Sequence, residues 1–161
     1  MKKFFYLSCL ISLFLIFLFT SIRSYANDVS RDLADNFFRL HILANSDSDE
    51  DQALKLKVRD NIISYMNTLS YSGLTKEEAI DLTNSHLVAF QEIAEKTIAS
   101  EGYNYPIKLE IGNFYFPTKE YGNISLPAGY YDALKIEIGE SKGKNWWCSL
   151  FPPLCFVDIS A

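Results

Sequence analysis

The residues most able to do chemistry here are three alternating carboxylates, two histidines, three cysteines and a Gly-Lys pair. Asp47, Asp49 and Asp51 have the spacing that opens a calcium-binding loop, where alternate carboxylates converge on the ion. Such a loop needs glycine at its sixth position for a sharp turn and a bidentate glutamate at its twelfth, where this chain has Gln52 and Val58. The acidic run therefore reads as a solvated turn that caps a helix, with no metal expected. Gly143-Lys144 could close a phosphate loop, but Ile138 stands where the first glycine belongs and Asn145 where Ser or Thr is required. Gly139 to Asn145 reads instead as an exposed loop. His41 and His86 are the only histidines and form no H-E-x-x-H pair, so a zinc hydrolase has little to build on. No G-x-S-x-G elbow is present. Cys148 or Cys155 beside a histidine would be a candidate thiol nucleophile.

Whether those thiols are reactive or structural turns on compartment, which the N-terminus addresses. Lys2 and Lys3 precede an uncharged run from Phe4 to Phe19, the composition of a signal-peptide core, and Ser24-Tyr25-Ala26 supplies a small-residue cleavage site. Cleavage after Ala26 is expected, leaving a single domain over 27–161. The competing reading is an uncleaved anchor, because Phe4 to Ile22 would span about 28 Å as a helix, near the ~30 Å hydrocarbon core. Loss of Lys2, Lys3 and Arg23 leaves twelve basic against twenty acidic residues, a net charge of −8. That charge opposes binding to nucleic acid or anionic membrane, so membrane contact is expected only through the signal segment. In an exported chain two cysteines more often pair with each other, and a Cys148–Cys155 disulfide is expected.

The elements that would position these groups follow from periodicity. Val29, Leu33 and Phe37 have helical spacing over Asp28 to Asn36, and Phe37 to Asn45 alternates as a strand. Ser48 or Asp49 can cap a helix from Gln52 to Leu69 whose stripe is Leu54, Val58, Ile62, Tyr65 and Leu69. Thr75-Lys76-Glu77-Glu78 is a capping box in sequence form. It predicts one long helix with Ile80, Leu87, Phe90, Ala94 and Ile98 inward and Gly102 just past its end. Ile107, Leu109 and Ile111, then Leu134, Ile136 and Ile138, alternate with charged residues as strands with one wet face. Phe114 to Pro117 and the turn candidate Leu126 to Gly129 lie between them. The order predicts a two-layer α+β domain, a small mainly antiparallel sheet with two main helices on one face.

Asn145 to Asp158 concentrates Trp146, Trp147, Phe151 and Phe156 around Pro152-Pro153 and the two cysteines. It reads either as a lid closing the core or as an exposed contact surface, since tryptophan is enriched at binding hot spots. Trp146, Trp147, Phe151, Pro152 and Pro153 are thus the candidate partner-binding residues.

Three stretches resemble stage II sporulation protein R, a family of endospore-forming bacteria: RLHILANSDSDEDQALKLKVRD (Arg39 to Asp60), YGNISLPAGYYDALKIEIGE (Tyr121 to Glu140) and SKGKNWWCSLFPPLCFVD (Ser141 to Asp158). The resemblance implies a protein made in the forespore and exported into the space between forespore and mother-cell membranes. There it would activate the membrane protease SpoIIGA, which removes the pro-sequence of sigma-E. It implies no catalytic residue and no cofactor. The readings that compete are an exported hydrolase using Cys148 or His41, and a domain binding wall glycan or another small ligand through its aromatic segment.

Overall fold

The computed structural model describes residues 2–71 and 73–155, so Phe156 and Asp158 lie outside the described residues. The chain divides into two units, Met1–Leu33 and Ala34–Ala161. The first is the greater part of helix α1 (Lys2–Asn36), so the helical spacing read at Asp28 to Asn36 is the end of a longer helix. By length and composition α1 could cross a membrane: an 18-residue window has mean hydropathy 1.9, and none of it is buried.

The second unit runs β1 (Phe38–Leu43), α2 (Asp49–Met66), α3 (Lys76–Ser85), α4 (Leu87–Ser100), β2 (Ile107–Phe116), β3 (Lys119–Tyr121), β4 (Ile124–Leu126), β5 (Gly129–Ile138) and β6 (Asn145–Phe151). It is an α+β domain. Four strands form one sheet in the order β2-β5-β1-β6, while β3 and β4 pair only with each other. β5 is antiparallel to β2 and β6 is antiparallel to β1, but β1 runs parallel to β5, so the sheet is mainly antiparallel and mixed.

The core forms because alternation puts apolar residues on one sheet face and the 3.6-residue period puts others on one side of each helix. Leu40, Ile42, Leu134, Ile136, Cys148 and Leu150 meet Leu54, Val58 and Ile62 of α2 and Phe90, Ala94 and Ile98 of α4. Tyr65 is only half-buried, and Met66 is the buried residue on the last turn of α2. Leu69 packs on the core from beyond the helix end.

Several boundaries differ from the sequence expectation. Ser48 caps α2 by accepting from the Asp51 N–H, whereas Asp49, the alternative cap, is the first helical residue. The cap needs extended backbone, which Ser48 has. Thr75 and Glu78 form a complete capping box, but the helix it opens stops at Ser85. His86 leaves helical geometry (φ −105°, ψ 9°) and its Nδ1 lies 2.8 Å from the Tyr65 hydroxyl of α2, so α3 and α4 are separate. Phe114 to Phe116 belong to β2 rather than to a connection, and Leu126 ends β4. Gly102 does sit past α4 with positive φ.

The largest difference is at β1. It lies between two strands and is buried on both faces, so Arg39 and His41, on the face that alternation assigns to solvent, are 0% and 8% exposed.

Candidate functional site

The aromatic segment is a strand. β6 occupies the sheet edge next to β1, with Leu40 opposite Cys148, His41 opposite Trp147 and Ile42 opposite Trp146. Strand alternation sends Trp146, Cys148 and Leu150 to the helix side and Trp147 to the other. Both tryptophans are half-buried and engaged within the domain. Trp146 packs on the main core with the Arg59 guanidinium 4.2 Å from its ring centroid. Trp147 stacks on His41 at 3.7 Å and lies 4.7 Å from Phe116.

Beyond β6 the chain reverses. Pro152 and Pro153 are exposed at the turn, the Leu154 and Cys155 N–H groups both donate to the Ser149 carbonyl, and a disulfide joins Cys148 to Cys155 across a Cα separation of 5.2 Å. Cys148 is fully buried and, with Cys155, presents no thiolate as a nucleophile. Cys9 on α1 is free and exposed. Next to the turn lies a largely apolar pocket of about 130 Å³, lined by Ile63, Met66 and Leu69 from one side and by Leu150, Pro153 and Cys155 from the other. Phe151 is half-buried at the strand end.

The acidic loop holds the opposite end of β6. Asp47 Oδ1 accepts from the Lys144 N–H (2.6 Å), and the Lys142 and Gly143 N–H groups donate to Asn45 and Ala44 carbonyls. Lys55, buried to 4% exposure, donates to the Lys144 carbonyl and to Gln52 Oε1. A Cβ at Gly143 would run into the Ser46 carbonyl oxygen, so glycine permits this close approach. The 139–144 segment is therefore tied to the β1–α2 loop rather than standing free. Asp51 accepts from Ser46 (2.5 Å) and Asn45 (2.8 Å). Burial pushes its carboxyl up, but these bonds and one from Tyr105 outweigh that and hold it below the usual aspartate range. The three aspartates thus have separate duties, and among the described residues no His/Cys/Asp/Glu group is arranged to hold a metal ion.

Behind the sheet lies a second polar feature. Arg39 Nη2 donates to the Tyr121 hydroxyl at 2.8 Å, and the guanidinium carbon sits 4.1 Å from the Phe116 ring centroid and 4.8 Å from that of Tyr131. Among the described residues its Nε and Nη1 have no hydrogen-bond partner, nor does Nδ1 of His41, whose Nε2 meets Asn145 Oδ1 at 2.8 Å. Burial holds the His41 imidazole below the ordinary histidine range, against the Asn145 bond, with Lys135 adding to the depression. Sequence reading missed Arg39 as a special residue. The available signal was the apolar residues flanking it on both sides, which mark a central strand whose polar members cannot reach water.

By its parts the chain is an apolar N-terminal helix, compatible with a signal segment, followed by an acidic α+β domain with a stapled edge strand. The family description that matches residues 34–161 is stage II sporulation protein R, and the chain belongs to that family. Stage II sporulation protein R of Bacillus subtilis (strain 168) is 45% identical over 128 residues, covering 80% of this chain and 57% of that protein. The chain therefore spans little more than half the length of this relative. No solved structure matches it. The family name denotes a sporulation protein.

Proposed function

We propose that the protein is an exported sporulation signal, made in the forespore, which acts in the space between the forespore and mother-cell membranes to activate SpoIIGA and hence the processing of pro-sigma-E. The observation that carries this reading is the family match over residues 34–161, with 45% identity to a relative over 128 residues, joined to an apolar helix of membrane length ahead of it. The disulfide supports an oxidising location. In this reading the Pro152-Pro153 turn meets the protease, Phe151 flanks it, and Trp146 and Trp147 brace the strand from its two sides.

The test is reconstitution of pro-sigma-E processing by SpoIIGA in vesicles, with and without this protein on the non-cytoplasmic side. Processing that depends on its addition is expected, and processing indifferent to it overturns the proposal. Cys148→Ser with Cys155→Ser should fold yet signal poorly, and normal signalling by the double variant removes the turn from the contact. N-terminal sequencing of the protein from sporulating cells should read from Asn27, whereas an intact Met1 replaces cleavage with an anchor.

A further inference from the structure

A fully buried arginine ordinarily comes with a carboxylate, because an ion taken out of water must be compensated by charge and hydrogen bonds. Arg39 is 0% exposed and no described carboxylate pairs with it. Asp132 on neighbouring β5 is held on the helix side by Lys76 at 2.6 Å. The rings of Phe116 and Tyr131 offset part of the charge but accept none of the N–H donors in the plane of the group. Among the described residues two of its nitrogens stay unpartnered, where an apolar side chain would leave no donor unsatisfied.

The cover over Arg39 is packed on the domain through buried Tyr121 and Leu126 but lies outside the sheet's hydrogen-bond ladder. Tyr121 ends β3, and the β3–β4 ladder makes no strand pairing with the four-stranded sheet. The Tyr121 hydroxyl accepts from Arg39 and donates to the Trp147 carbonyl at 3.4 Å. It occupies Nη2, the nitrogen that both bidentate modes of a guanidinium share, one with Nε and the other with Nη1. Moving Tyr121 aside completes either fork at once.

We propose that Arg39 is the receptor for one carboxylate of a protein partner, from an acidic side chain or a chain terminus, admitted when the β3–β4 hairpin carries Tyr121 off the guanidinium. The aromatic walls then exclude water from a charge-assisted pair, which strengthens it. The inference is independent of which partner the protein activates.

The experiment follows the Arg39 Nε–H resonance in the full-length protein in detergent micelles, with acetate as the first probe. Acetate should shift that resonance saturably, and Tyr121→Phe, which keeps the ring and removes the competing hydroxyl, should tighten binding about tenfold. Arg39→Lys should abolish the response, read at the Trp147 indole. Two peptides then separate the sources, one amidated with a single internal glutamate and one lacking glutamate but with a free C-terminus, and saturable binding of either one supports the proposal. Unshifted Arg39 in both wild type and Tyr121→Phe overturns the site, as does a response that survives Arg39→Lys. Acetate binding without either peptide overturns the protein-partner claim. Should Arg39→Lys fail to fold, the wild-type and Tyr121→Phe titrations decide alone.

Discussion

The two faces of the four-stranded sheet are built on opposite principles. On the helix side Leu40, Ile42, Leu134 and Ile136 pack against α2 and α4 with no polar atom among them. On the other side Arg39 and His41 are almost as deeply buried, yet under rings and a tyrosine hydroxyl with donors to spare. The contrast teaches that depth of burial does not identify what holds a fold together. One face stabilises by removing apolar area from water, and the other keeps a charge in place at some cost.

Cavity formation gives the sharpest separation of the two. Ile136→Ala should destabilise by about 2–5 kcal/mol in urea titration, since truncating a fully buried side chain leaves a cavity. Arg39→Met should have the opposite sign or no effect, within the range of about 1–4 kcal/mol of stabilisation seen when buried ions give way to apolar groups. Equal losses at both positions would erase the distinction.

The loops at the end of β6 come next. Gly143→Ala forces Cβ against the Ser46 carbonyl and should cost about 1–3 kcal/mol, as overpacking does, with altered Trp146 and Trp147 fluorescence reporting a shifted strand.

Titration tests the polar face alone. His41 is kept neutral by burial, so below about pH 6.5 the unfolded chain binds a proton that the folded one refuses. Stability should therefore fall on acidification from about pH 6.5 down to the depressed folded value, by at most about 1.4 kcal/mol per pH unit. Asp51, whose folded value is lowered, contributes stability above about pH 3.9 that is lost as pH drops further. Melting curves of His41→Phe should lose the upper window and keep the lower one. The smallest effects fall on the acidic loop, where Ser48→Ala should cost about 0.5–2 kcal/mol. Asp49→Ala should change stability by no more than about 0.5 kcal/mol, because Asp49 is not the cap.

Local signals were read well where they act locally. The capping box at Thr75, the glycine after α4 and the alternation of Leu134, Ile136 and Ile138 all describe contacts within a few residues or one strand. The split at His86 was invisible because no proline or glycine marks it, and the group that holds His86 is Tyr65, on another helix. The Asn145 to Phe151 strand was hidden by its tryptophans and by the two prolines that follow it, which read equally as lid or as surface.

The sequence by itself determined the apolar N-terminal segment, the α+β order, the helix-side core and the family to which the chain belongs, because each is carried by composition, period or residue identity. Only the tertiary structure decided that β1 is central, that the acidic loop clasps the β5–β6 connection, and that Arg39 lies under Tyr121. Those outcomes depend on which strands become neighbours, and pairing partners 82 residues apart leave no periodic trace between them.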